Sequence, residues 1–159
     1  MKIGDVMKKE REGRGLNRFH KYSVDEIARQ LGVRSAEYEQ IESGNSPVEK
    51  WFPLLCELAV KLKRPTSRLL AKSGKSKDCK AGQAGPRIRA YREERGKTIE
   101  EMAELVGVAV NEYVSVEKGQ SPIEKYGPLM LHFAELVEQP VFNIFLPCGV
   151  PYDKLDDYP

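Results

Sequence analysis

Histidine, cysteine and tryptophan are scarce in this 159-residue chain, which holds two, three and one of them. His20 and His132 lie far apart, leaving little for imidazole catalysis. Cys56, Cys79 and Cys148 are too few and too scattered for a disulfide scaffold, and they lack the paired spacing of a zinc site. No apolar run approaches the roughly 18 residues that a membrane span needs, and no signal-peptide pattern opens the chain. No glycine-rich phosphate loop, carboxylate pair or nucleophile–base constellation stands out. The expectation is therefore a cytoplasmic protein that is not an enzyme, with no cofactor, no metal and no membrane contact.

What the chain does have is charge, 31% of residues, beside 40% hydrophobic residues. That balance suits small packed cores rather than a disordered chain. The net charge of +2 conceals an uneven distribution. Residues 1–60 carry 10 basic and 10 acidic side chains, residues 61–90 carry 10 and 1, and residues 91–159 carry 6 and 13. The middle of the chain is a cationic stretch that a polyanion could use, or a solvated linker.

Shifted by 75 residues, the sequence matches itself. Gly32-Val33 falls on Gly107-Val108, Glu37-Tyr38 on Glu112-Tyr113, and Ser46-Pro47-x-Glu49-Lys50 on Ser121-Pro122-x-Glu124-Lys125. From Tyr22 to Leu70, 16 of 49 positions are identical without a gap. Upstream the shift becomes 81, with Arg11 on Arg92 and Arg14-Gly15 on Arg95-Gly96, so the first copy holds six extra residues near Leu16–Lys21. Two copies of this length indicate a tandem pair of small domains rather than a solenoid. The division reads as 1–72, a basic flexible linker over 73–85, a second domain over 86–148, and an acidic tail over 149–159.

Each copy reads as helices. Ser23-x-x-Glu26 and Thr98-x-x-Glu101 are capping boxes. Val24, Ile27, Ala28 and Leu31, matched by Ile99, Met102, Ala103 and Val106, form one apolar face of a short helix. Gly32 and Gly107 permit a tight turn into a second short helix, ended by Gly44 and Gly119. A longer helix follows through Leu54–Leu62 and Leu129–Val137, and Pro65 and Pro140 open a last short one. No segment alternates at period two, so no sheet is expected.

The stretch Ser23 to Val33, followed by Tyr38-x-x-Ile41-Glu42-x-Gly44, resembles the Cro/phage-repressor (XRE) helix–turn–helix family. Thr98 to Val108, with Tyr113-x-x-Val116-Glu117-x-Gly119, does so again. The resemblance implies an all-α chain of two tandem lambda-repressor-like, five-helix domains, with recognition helices around 34–43 and 109–118. It also implies double-stranded DNA as partner and a transcriptional regulator as function. The base-reading positions it designates are Arg34, Ser35, Ala36 and Gln40 in the first copy, and Asn111 and Ser115 among the polar residues of the second. Arg14 and Arg18 flank the first, and Lys72, Lys75, Lys77 and Lys80 can follow phosphates from the linker.

The sequence also departs from the family. The phosphate-holding glutamine after the capping residue is replaced by Val24 and Ile99, and Glu37 and Glu112 beside the reading face would oppose phosphate. A protein-interaction adaptor that keeps the fold without reading bases is thus the second reading. The Ser46–Pro53 and Ser121–Pro128 loops would then be partner-binding elements, or else only turns with helix caps. A homodimer stays open. Glu42 and Glu117 read as structural, and Tyr38 and Tyr113 as core residues with hydroxyls at the rim. His20 reads as a solvated loop residue, and Cys79 as an exposed thiol whose pKa Lys77 and Lys80 could lower.

Overall fold

The computed structural model describes residues 2–141, and among these every regular element is helical. The first half contains α1 (Ile3–Arg11), α2 (Val24–Leu31), α3 (Ser35–Glu42), α4 (Val48–Leu62) and α5 (Thr66–Leu70). A single 3-10 turn (Ser76–Asp78) leads to α6 (Ala84–Glu94), α7 (Ile99–Val106), α8 (Val110–Glu117) and α9 (Ile123–Leu136). The fifth helix expected after Pro140, Cys148 and the acidic tail lie outside the described residues.

Local chemistry accounts for the helix ends. Ser23 Oγ accepts from Glu26 N at 3.1 Å while Ser23 N donates to the Glu26 carboxylate at 3.3 Å. Thr98 and Glu101 repeat this reciprocal cap at 3.1 and 3.0 Å. Gly32 and Gly107 end α2 and α7 with φ of 74° and 72°, a left-handed conformation that glycine adopts without strain.

The repeated Ser-Pro-x-Glu-Lys segment has a role the sequence left undecided. α4 and α9 begin at Val48 and Ile123, so most of each expected loop is already helix. Glu49 reaches back to the start of α1 and accepts from Ile3 N and Gly4 N at 3.0 and 2.9 Å. Glu124 accepts from Gly82 N, Ala84 N and Gly85 N at 2.7–3.2 Å. A carboxylate there satisfies free amides and faces the positive end of the helix dipole. Gly4 and Gly85 allow the close crossing, since a Cβ on either would lie 2.3 Å from a backbone carbonyl oxygen of α3 or α8.

A second pair of contacts ties these helices together from inside. The Arg11 guanidinium meets Glu42 at 2.6 and 3.0 Å and donates to Tyr22 O at 3.0 Å. Arg92 meets Glu117 at 2.6 and 3.0 Å and donates to Lys97 O at 2.8 Å. These hydrogen bonds raise the arginine pKa values above their usual range, against the opposing effect of burial. Tyr38 and Tyr113 lie alongside, fully buried, hydroxyls included, rather than at a rim. Burial first, then the adjoining glutamate, drives both phenols far above their ordinary pKa.

A flexible linker would leave two separate cores. The buried apolar residues instead form one continuous cluster from Ile3 to Val141. α4 packs along α9, α2 against α9, and α7 against α4. At the α4–α9 crossing Gly127 stands where the first half has Phe52. A Cβ there would lie 2.6 Å from Leu70 Cδ2 and 3.4 Å from Leu55 Cδ2. Residues 73–85 are fastened as well: Glu135 takes Ser76 N at 3.0 Å, and Gln83 Nε2 donates to Leu70 O and Asp78 O at 2.8 and 3.1 Å. The lack of apolar periodicity suggests flexibility, yet backbone amides of this segment find carboxylates on α9 and the Gln83 side chain finds a carbonyl of α5.

Cys79 corrects the sequence expectation. It is half-buried against the core, and burial, then the Glu135 and Asp78 carboxylates, push its thiol up to about 11. The neighbouring lysines face outward and do not lower it. Alkylation of Cys79 in the folded protein, followed by peptide-resolved mass spectrometry, should therefore show its midpoint near pH 11. Reaction at neutral pH should be far slower than after denaturation, because the thiolate is the reactive form. Equal rates in the two states would show an ordinary exposed thiol.

Candidate nucleic-acid interface

α3 is a short exposed helix held out from the core by only two fully inward side chains, Tyr38 and Ile41. Its outer face carries most of the residues expected to read bases. Arg34 is the N-cap of α3 and exposed, as are Ala36 and Gln40. Ser35 is half-buried, and its hydroxyl donates to Asp25 Oδ1 at 2.5 Å, fixing the start of α3 against α2. In α8, Asn111 is exposed, whereas Ser115 donates back to Glu112 O at 2.6 Å within its own helix. That hydroxyl proton is already engaged by the backbone, so Ser115 offers an approaching base mainly an acceptor.

The second half approaches this face, which the sequence did not indicate. Arg34, Ala36, Glu37 and Gln40 line an open cleft of about 420 Å³ whose far wall includes Lys125 and Tyr126 at the start of α9. Lys125 bonds Glu37, and that hydrogen bond is the main cause of its raised pKa. The counterpart is present too: Lys50 at the start of α4 bonds Glu112 of α8 at 2.5 Å. Each lysine lies over the aromatic ring that follows it, Lys50 at 5.0 Å from the Trp51 centroid and Lys125 at 5.3 Å from that of Tyr126. Lys50 and Lys125 are equivalent positions of the repeat, as are Glu37 and Glu112. The crossed pairs are thus reciprocal, as in a two-fold dimer. They also offset the two carboxylates that would otherwise repel a phosphate backbone.

The flanking cations are less uniform. Arg14 is exposed but paired with Glu12 at 2.5 Å, and Arg18 is exposed on the inserted loop. Lys72, Lys75, Lys77 and Lys80 are all exposed, and Lys72, Lys77 and Lys80 border one shallow depression together with Asp78. His20, expected to be solvated, pairs with Glu138 at 2.8 Å across the two halves. Val24 and Ile99 occupy the first helical positions of α2 and α7, so neither helix starts with a side-chain donor for phosphate. Among the described residues no cluster of histidine, cysteine and carboxylate could hold a metal, and no helix is long and apolar enough to cross a membrane.

A capped short helix, a left-handed glycine and a second short helix with one exposed face make a helix–turn–helix unit. Residues 88–124, from α6 into α9, match the helix-turn-helix family model. No curated protein and no solved structure matches the chain.

Proposed function

We propose that this chain is a sequence-specific DNA-binding protein, a cytoplasmic transcriptional regulator carrying two unlike helix–turn–helix units on one polypeptide. The observation that carries this reading is the face of α3, where Arg34, Ala36 and Gln40 stand exposed on a helix anchored from behind by Tyr38 and Ile41. An arginine suits the two acceptors of guanine, and a glutamine suits adenine. The reciprocal lysine–glutamate pairs support the tandem arrangement, because they hold α3 and α8 in a related disposition as the subunits of a dimer would. The reading contains no catalytic step.

The two units differ in what they offer. Positions 34, 35, 36 and 40 are Arg, Ser, Ala and Gln in the first unit, against Ala109, Val110, Asn111 and Ser115 in the second. The site read should therefore be asymmetric, with most base discrimination from the first half. Selection of a preferred duplex from random sequence, followed by binding curves at several salt concentrations, tests this in the full chain. Arg34→Ala should cost about 1–3 kcal/mol on the selected site and relax preference at one base pair. Neutralising Lys72, Lys77 and Lys80 should weaken all duplexes alike and flatten the salt slope by roughly 0.9 per lost phosphate contact. If the wild-type chain shows no preference between selected and random duplex, the adaptor reading takes its place.

A further inference from the structure

Four large hydrophobic side chains stand out as exposed among the described residues: Leu16 at 55%, Phe19 at 91%, Leu105 at 45% and Val110 at 44%. They fall into two pairs with opposite electrical surroundings. Leu16 and Phe19 sit on the loop that only the first half possesses, beside the exposed Arg18 and Lys21, with Arg14 bonded to Glu12 and His20 to Glu138. Leu105 and Val110 flank the Gly107 turn, on α7, which holds Glu100, Glu101 and Glu104, and α8, whose Glu112 is bonded to Lys50; neither helix holds a lysine or arginine.

The loop is built rather than loose. The buried carboxylate of Glu10 accepts from Leu16 N and Asn17 N at 2.6 and 2.8 Å. Asn17, also buried, donates to Glu10 O and His20 O at 2.8 and 2.6 Å, and accepts from Phe19 N and His20 N at 3.1 and 3.0 Å. A Cβ at Gly15 would lie 1.9 Å from the Glu10 carboxylate and push it away from the loop amides it holds. This network satisfies the loop backbone from within and leaves the Phe19 ring in solvent. A rigid loop carrying an exposed aromatic has little ordering entropy left to lose on binding, which is how an interface anchor is made.

The patch on the second half is equally specific to its copy. Leu105 and Val110 replace Gln30 and Ser35 of the first half, and Glu104 replaces Arg29. A surface that is polar and partly basic in one copy is apolar with an acidic border in the other. The two surfaces rest on different helix pairs, since α2, which follows the loop, packs on α9 whereas α7 packs on α4. Both remain exposed, so they do not cover each other within one molecule.

We propose that the Leu16–Phe19 knob of one molecule docks on the Leu105–Val110 patch of a second copy, head to tail. The occupant is a second copy because each surface finds its complement, apolar against apolar and cationic against anionic, on the same chain. A contact of this kind leaves one knob and one patch free on every dimer, so the association continues beyond the dimer, into a ring or an open chain. The inference goes beyond DNA reading and does not rest on it; because Val110 is also one of the second unit's reading positions, docking there competes with DNA for the start of α8.

Sedimentation velocity of the full chain without DNA, over a wide concentration range at low and high salt, tests this. Wild-type protein should show concentration-dependent dimers and longer species that salt weakens. Phe19→Ser and Leu105→Lys, both exposed changes that should leave the thermal melt unaltered, should each weaken association by about tenfold or more. An equimolar mixture of the two variants should recover dimers but nothing longer, since one intact knob and one intact patch remain. Absence of self-association in the wild type would overturn the proposal. So would a Leu105→Lys variant that associates like wild type while Phe19→Ser does not, which marks a symmetric knob-to-knob contact, a mixture that recovers no dimers, or loss of DNA affinity in Phe19→Ser with self-association unchanged, which marks the loop as a nucleic-acid contact.

Discussion

Replacing Glu117 by alanine should destabilise the protein by about 3–5 kcal/mol, because it leaves the Arg92 guanidinium buried without its carboxylate. Arg92 and Glu117 are both buried, and their two hydrogen bonds of 2.6 and 3.0 Å join α6 to the end of α8. Glu42→Ala should act in the same direction through Arg11. Urea unfolding measures both, with Glu104→Ala as an exposed control expected to stay within about 0.5 kcal/mol of wild type. Replacing Arg92 and Glu117 together by apolar residues of similar volume should recover part of the loss, since desolvation of both charges is then avoided. A loss below about 1 kcal/mol for Glu117→Ala would place the pair in the weak class of solvated surface bridges.

The second large effect concerns separation of the halves. Residues 1–72 expressed alone should fail to give the cooperative melt of the full chain. In that fragment α4 loses α9, Leu55 and Leu70 lose the close approach of Gly127, and Tyr22 Oη loses the Leu136 carbonyl that accepts from it at 3.2 Å. Exposing a buried helix face of this kind removes about 25 cal/mol of stabilisation per Å² of apolar area, against a total that is only about 5–15 kcal/mol for a domain. Circular dichroism melts and dye binding of the fragment measure this. A monomeric fragment with a sharp transition close to that of the intact chain would show that each half holds its own core. Gly127→Val in the full chain offers the same test by overpacking, at a cost of about 1–3 kcal/mol.

Much of the helical layout was legible in the sequence because it is specified locally. A capping serine or threonine with a glutamate three residues on, an i, i+3, i+4 apolar face and a glycine stop need only neighbouring residues to act. The structural roles of Glu42 and Glu117 were legible too, but not their partners, since Arg11 lies 31 positions from Glu42 in the chain. Position along the chain likewise concealed the crossed bonds of Lys50 and Lys125, which depend on how α4 meets α9. The six-residue insertion showed itself as a change of register, whereas its construction around Glu10 and Asn17 did not, because a buried glutamate and a buried asparagine look like surface residues in a one-dimensional reading. Cys79 misled for the opposite reason. Lys77 and Lys80, close in sequence, suggested a cationic environment, but in space the thiol is half-buried, with the Glu135 and Asp78 carboxylates acting on it. At the candidate interface the exposed positions of α3 were recognisable from the family pattern, and the wall supplied by Lys125 and Tyr126 was not.

The reciprocal bonds between Lys50 and Glu112 and between Lys125 and Glu37 have a consequence for dosage. A pair of subunits formed from separate chains falls apart on dilution, so its paired form grows with the square of concentration when monomer dominates. Here the partner is covalently attached, and pairing is a matter of folding rather than of mass action. The fraction of molecules with both halves joined in this way does not depend on how many copies a cell holds. Each unit is also free to change its surface without obliging the other to change with it, which a gene encoding one subunit of a symmetric pair cannot do.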